Sequence, residues 1–147
     1  PKEIVEKEAV RALVEADVLT ICSGGGGIPV VAEDGQYVGV EAVNDKDFSA
    51  RVLAENVDAD RLIILTGVDN IYINYNQPDQ KALEQISVAE AEEYIKEGHF
   101  AAGSMLPKIE AALDFVKGDD KRKAIITSIE NLENIDKEAG TVISQKG

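Results

Sequence analysis

The sequence predicts an α/β fold with a mostly parallel sheet under helices, and three observations lead there. Short apolar runs alternate with helix-period segments along the whole chain, the pattern of strands joined by crossover helices. The segment Arg61-Leu62-Ile63-Ile64-Leu65-Thr66 has an unbroken apolar centre, as expected of a parallel strand buried on both faces. Glycines and capping residues fall where one period gives way to the next.

Residues 4–15 place Ile4, Val5, Val10, Leu13 and Val14 near helical spacing with acids between, which predicts a helix that breaks at Asp17. Residues 18–22 form a short apolar run of buried-strand type. Four glycines follow. Ile28-Pro29-Val30-Val31 and Tyr37-Val38-Gly39-Val40, separated by Glu33-Asp34-Gly35, predict a small antiparallel excursion. Asp45 is a good N-cap for a helix whose apolar face carries Phe48, Val52, Leu53 and Val57. After the strand at 61–66, residues 70–75 predict an aromatic-rich strand or hairpin edge, and 76–79 a turn. Ser87 opens a helix over 88–97, with Glu90 in capping-box position and Gly98 as the stop. A further helix follows Gly103-Ser104, runs to Val116 and ends at Gly118; Ser104 is its expected cap. A strand at 124–127, a short helix over about 131–138 and a strand at 141–143 complete the order. No repeat, low-complexity tract or domain boundary interrupts the 147 residues.

Composition narrows the function. Hydrophobic residues make up 44% of the chain, too many for intrinsic disorder, and no run approaches the length of a membrane span. Fifteen Lys and Arg stand against 28 Asp and Glu, a net charge of −13. Such a surface repels phosphate backbones and anionic lipid, so neither nucleic acid nor membrane is an expected partner. Cys22 is the one cysteine, which excludes an internal disulfide and agrees with a reducing, cytoplasmic setting.

Against this acidic background, the positions of a few lysines are informative. Ser23-Gly24-Gly25-Gly26-Gly27-Ile28-Pro29 follows an apolar run; ligands bind beyond the carboxyl ends of parallel strands, and bare N–H groups can cradle an anion there. Lys46 lies in the first turn of the helix capped by Asp45, where the helix dipole disfavours a cation unless an anion is also bound. Asp47 beside it can orient the ammonium. Lys108 lies at the end of the first turn of the helix after Ser104, past Pro107. Thr66, Val68, Asp69, Tyr72 and Tyr75 lie in or just beyond the strand at 61–66, and offer the flat apolar walls and few polar contacts that a nucleoside needs. His99 has no Cys or His at ligand spacing, which argues against a metal centre.

Four segments and two closing ones together resemble one family. CSGGGGIPV at 22–30, DKDFSA at 45–50, LTGVDNIYINYNQPDQKAL at 65–83, KEGHFAAGSMLPKIEAA at 96–112, and the closing AIITS and GTVI are similar to the C-terminal half of carbamate kinases, in the amino-acid kinase superfamily. The resemblance covers essentially the whole chain. It implies a three-layer α/β/α sandwich, of which residues 1–147 would be the C-terminal nucleotide-binding lobe and 1–30 the junction with an N-terminal lobe. It also implies reversible phosphoryl transfer between carbamoyl phosphate and ADP, in the arginine deiminase route, by a homodimeric enzyme.

By that resemblance, Lys46 is a phosphate-contacting lysine, Asp47 the carboxylate that orients catalytic lysines, and Lys108 the lysine that reaches the nucleotide phosphates. Thr66, Val68, Asp69, Tyr72, Tyr75, Pro78 and Met105 would surround the adenosine. Gly24, Gly25, Gly26 and Gly27 would face carbamoyl phosphate. The cofactor is ATP or ADP with Mg²⁺ carried on its phosphates, with no metal site built from protein alone. The family's N-terminal half, with a second glycine loop and another catalytic lysine, lies outside these residues, so the isolated chain is expected to be inactive. Two alternatives stand beside this reading: a non-catalytic nucleotide-sensing module on the same lobe, and a related kinase with another acceptor.

Overall fold

The computed structural model describes all 147 residues, Pro1–Gly147, in two compact units, Pro1–Asp58 and Ala59–Gly147. In the first unit, α1 (Lys7–Glu15) is followed by a hairpin of β1 (Val30–Glu33) and β2 (Gln36–Gly39) and by α2 (Lys46–Asn56). The hairpin is antiparallel, pairing Val31 with Val38 and Glu33 with Gln36, around the Asp34-Gly35 turn in which both residues have positive φ. Arg11 of α1 donates from Nε and Nη2 to the Asn56 carbonyl at the end of α2, at 3.0 and 2.6 Å.

The apolar run at 18–22 is not a strand. A strand exists only where a neighbour completes its ladder, and the one sheet of this unit is the hairpin, which pairs with itself. Leu19 and Ile21 are each 95% exposed. The first helix is shorter than its apolar spacing predicts: it starts at Lys7, and Glu6 at the N-cap makes no side-chain bond to hold an earlier turn.

The second unit contains a four-stranded sheet in the order β3 (Arg61–Thr66), β7 (Lys123–Ser128), β8 (Thr141–Ser144), β6 (Gln85–Ser87). β3–β7 and β6–β8 are parallel and β7–β8 antiparallel. The sheet is therefore mixed but mostly parallel, and the chain is α/β. β4 (Ile71–Ile73) and β5 (Lys81–Leu83) form a separate antiparallel pair, with Tyr72 opposite Ala82. α3 (Val88–Lys96) packs on β6 and on α4 (Met105–Lys117), and α4 packs across β3, β7 and β8.

The strand buried on both faces is β7, buried from Ala124 to Ser128 without a break. β3, whose apolar run promised that position, is the sheet edge. Leu62 and Ile64 point into the core while Ile63 and Leu65 are 41% and 38% exposed. A run of four apolar residues states that a strand is hydrophobic on both faces, not that both are covered. The core centres on α4 and the sheet, with Ile109, Phe115, Ile125, Ile126 and Ile143 fully buried.

The α3 capping box forms as its spacing predicts: the Ser87 hydroxyl accepts from the Glu90 N–H, and the Glu90 carboxylate accepts from the Ser87 N–H at 2.8 Å. The segment before β8 is a 3₁₀ helix, Glu130–Lys137, that ends at left-handed Glu138, rather than an α-helix. No helix is long and apolar enough to cross a membrane.

Candidate functional site

The second unit holds a cavity of about 770 Å³ at the C-terminal end of β3. That is within the range of small-molecule sites, about 300–1,000 Å³. Its position follows from the sheet: where a parallel strand ends, the chain leaves the ladder and loops diverge around a crevice. Thr66 and the loop residues Gly67 and Val68 form one wall. Tyr72 on β4, with Asn74, Tyr75 and Gln77 beyond it, forms a second. The connection from α3 to α4 supplies Glu97, His99, Phe100 and Ala101, and the start of α4 closes the cavity with Ser104 and Met105.

The aromatic wall is ordered by its own contacts. The Tyr72 and Tyr75 rings lie 5.8 Å apart at 46°, and Tyr75 is 52% exposed. Positive φ at Asn74 and Asn76 turns the chain sharply on either side of Tyr75; asparagine tolerates that conformation better than most residues. Opposite in sequence, His99 Nε2 lies 3.0 Å from Glu97 Oε2, and the His99 ring meets Tyr94 edge-on at 5.8 Å.

The start of α4 has an unusual hydrogen-bond pattern. Ser104 occupies the N-cap but makes no capping bond with its side chain, contrary to its expected role. Instead the N–H groups of Ser104, Met105 and Leu106 all donate to the Ala101 carbonyl, at 3.2, 3.2 and 3.0 Å. One acceptor for three donors satisfies none of them strongly, and Pro107 has no N–H. The positive end of a 13-residue helix therefore opens on the cavity, with half-buried Lys108 next along it.

Of the sequence candidates in this unit, the cavity brings together Thr66, Val68, Tyr72, Tyr75 and Met105. Asp69, Pro78 and Lys108 do not line it; Lys108 sits one turn further along α4 than Ser104 and Met105, which do. The Asp69 carboxylate accepts from the Ser128 hydroxyl at 2.6 Å, and its carbonyl from the Thr127 hydroxyl at 3.3 Å. Sequence reasoning passed over Asn74, Gln77, Glu97, His99, Phe100 and Ala101. The signal was their position: residues 97–101 immediately precede a helix start already marked by its lysine.

In the first unit, Asp45 caps α2 as its sequence predicts, accepting from the Asp47 N–H at 2.8 Å. Asp47 is buried and Lys46 exposed, with Lys46 Nζ 4.0 Å from Asp47 Oδ2, the outer limit of an ion pair. The glycine segment is a built turn: Gly24 donates to the Cys22 carbonyl at 2.7 Å, Gly26 to that of Ser23 at 2.8 Å. The buried Ser49 hydroxyl of α2 donates to the Gly26 carbonyl at 2.8 Å. Gly26 is the glycine the fold requires, since its φ is +127° and a Cβ there would lie 2.4 Å from the Asn44 carbonyl oxygen. No group of three or more His, Cys, Asp or Glu side chains is placed to hold a metal ion.

Comparison with known proteins agrees with this architecture. The model of the amino acid kinase family matches residues 1–128. The carbamate kinase of Latilactobacillus sakei is 53% identical over 146 residues, which are 99% of this chain and 46% of that protein. Carbamate kinase 1 of Enterococcus faecium is 54% identical over 147 residues, 99% of this chain and 47% of its own. The structure of carbamate kinase from Giardia lamblia bound to AMP-PNP superposes with a TM-score of 0.93 at 42% identity, covering 98% of this chain and 50% of that one. The chain thus spans just under half the length of the relatives it matches.

Proposed function

The chain belongs to the amino acid kinase family, and from that premise we propose that it is the nucleotide-binding, C-terminal half of a carbamate kinase. The observation that carries this reading is the cavity in which Thr66, Val68, Tyr72, Tyr75 and Met105 meet the start of α4. Its aromatic and apolar wall suits adenosine, and its helix terminus suits phosphate. The AMP-PNP held by the Giardia relative supports the same assignment.

In the reaction, an oxygen of the ADP β-phosphate attacks the phosphorus of carbamoyl phosphate in line. The bond from phosphorus to the carbamoyl oxygen breaks, carbamate leaves as an anion, and ATP is formed; the reverse is equally allowed. Phosphoryl transfer of this kind needs positioning and cationic stabilisation, with little covalent work by the protein. Lys108 is assigned to the nucleotide phosphates, Lys46 to a phosphate contact and Asp47 to the orientation of lysines. Gly24, Gly25, Gly26 and Gly27 are assigned to the carbamoyl phosphate side. Asp69 and Pro78 are assigned to the adenosine segment, although neither lines the cavity. Mg²⁺ belongs to the substrate, since a phosphate-borne ion keeps its waters and needs only one or two protein carboxylates.

The whole enzyme, in this reading, works as a cytoplasmic homodimer in arginine breakdown through the arginine deiminase route. The isolated 147 residues catalyse no measurable transfer, because the lobe that grips the transferred phosphoryl group lies outside them. The test is calorimetric titration of the chain with ADP and Mg²⁺, beside a coupled assay for ATP formation from carbamoyl phosphate. Saturable binding that Lys108→Ala weakens about tenfold, as loss of a charged phosphate contact implies, supports the assignment. Absence of binding overturns the nucleotide reading, and full ATP synthesis by the chain overturns the claim that it is half a catalyst.

A further inference from the structure

We propose that Ser128, at the C-terminal end of β7, is a positioning residue of the nucleotide cavity, acting through the Asp69 carboxylate. The inference rests on the nucleotide reading above and assigns the residue that keeps one wall of that cavity in place.

Gly67 and Val68 line the cavity, yet the loop they belong to has left the sheet. The β3–β7 ladder ends at the pair Thr66–Ser128, and β4 begins at Ile71. Between those points the backbone N–H groups of residues 67–70 make no bond to another backbone group. The loop is anchored by side chains instead. The Ser128 hydroxyl donates to Asp69 Oδ1 at 2.6 Å, the Thr127 hydroxyl donates to the Asp69 carbonyl at 3.3 Å, and Asn70 Nδ2 donates to the Leu83 carbonyl at 3.1 Å. A glycine-containing loop without a ladder samples many conformations unless such bonds select one.

Ser128 is the strongest of these anchors, on two grounds. It is 2% exposed, and the Asn131 N–H donates to its oxygen at 3.3 Å. The oxygen accepts on one lone pair while its single proton goes to the Asp69 carboxylate. Its acceptor is a carboxylate, and hydrogen bonds to a charged partner are the stronger kind. The bond has an electrostatic consequence as well. Asp69 follows directly on Val68, in a wall assigned to the adenosine of an anionic nucleotide, and the bond ties its carboxylate to the end of β7. Releasing it both loosens the wall and frees a negative charge to approach a ligand of the same sign.

The test is the affinity of the 147-residue chain for ADP with Mg²⁺, by calorimetry, with thermal unfolding followed in parallel. Ser128→Ala is expected to weaken binding about tenfold, and Ser128→Thr, which keeps the hydroxyl, to restore it. Asp69→Ala is expected to weaken it similarly, and the double variant no further, because both residues act through one bond. An Ala variant that melts earlier but binds ADP as the parent does, or two single effects that simply add, overturns the positioning role while leaving the nucleotide reading intact. If the unsubstituted chain fails to bind ADP, the nucleotide reading falls and this role falls with it.

Discussion

The Ser49 hydroxyl, buried on α2, donates to the carbonyl of Gly26 at 2.8 Å, and so ties the four-glycine turn to the helix that follows it. The turn is therefore fastened to α2 by a specific contact, and its glycines are unequal. At Gly26 the backbone has φ +127° and the Asn44 carbonyl would lie 2.4 Å from an added Cβ; at Gly25 φ is not in the left-handed region and nothing lies within 4 Å. Gly26→Ala is expected to cost about 2–5 kcal/mol through strain and clash, and Gly25→Ala less than about 0.5 kcal/mol. Ser49→Ala, which leaves a buried carbonyl unpaired, is expected to cost about 1–3 kcal/mol. Urea unfolding of the three variants measures the order, and equal losses at Gly25 and Gly26 would sink it.

The capping box of α3 makes stability depend on pH at its acid end. The N–H of Ser87, and then its hydroxyl, donate to the Glu90 carboxylate and hold its pKa below the usual glutamate value. A carboxylate depressed in the folded state contributes stability that is fully present above its unfolded pKa, about 4.3, and is lost as pH falls through the folded value. Glu90→Ala is therefore expected to lower the melting temperature at neutral pH, and the gap from the parent should close in acid. Ser87→Ala, which removes the other half of the box, is expected to cost about 1 kcal/mol. A Glu90→Ala deficit that stays constant from neutral to acid pH would show that the charge has no part in it.

The capping box was legible because it is local: Ser87 and Glu90 fix their partners by spacing alone. The same holds for Asp45 on α2 and for the helix stop at Gly98. Features that depend on distant partners were not legible. The run at 18–22 and the strand at 61–66 have similar apolar letters, but only the second finds a parallel neighbour, in β7. β5 and β6 escaped notice because each is three residues long, and β6 pairs only with distant β8. At the cavity, Thr66, Val68, Tyr72 and Tyr75 were visible from the rule that ligands bind past strand ends, and Met105 only from the resemblance. His99 and Glu97 were not, because a helix-end histidine beside an acid carries no local mark of facing a cavity.

Tyr75 offers a separation of binding from folding. It is 52% exposed and rests on Tyr72 at 5.8 Å, so its ring covers cavity rather than core. Tyr75→Ala is expected to reduce ADP affinity about tenfold, as loss of a stacking surface for a base does. It should change the unfolding free energy by no more than about 1 kcal/mol. Calorimetry with ADP and Mg²⁺, beside urea unfolding, tests both halves. Unchanged affinity would remove Tyr75 from the base-binding wall.

Thr141 is the buried polar group that links the four-stranded sheet to the β4–β5 pair. Fully buried on β8, its hydroxyl accepts from the Ile71 N–H at 2.8 Å and donates to the Leu83 carbonyl. One oxygen thus joins the four-stranded sheet to both strands of the β4–β5 pair that carries Tyr72. Thr141→Val keeps the shape and removes the hydroxyl, leaving a donor and an acceptor unpaired in the interior, at an expected cost of about 2–4 kcal/mol. Thr141→Ser keeps both bonds and loses only a methyl, about 1 kcal/mol. Thr20, whose hydroxyl bonds the carbonyl two residues back near the surface, is the control, and Thr20→Val should fall within about 0.5 kcal/mol of the parent. Denaturant midpoints for the three variants decide the matter: a Val variant at 141 no worse than the Ser variant would mean that packing of the methyl, not the shared hydroxyl, holds the β4–β5 pair in place.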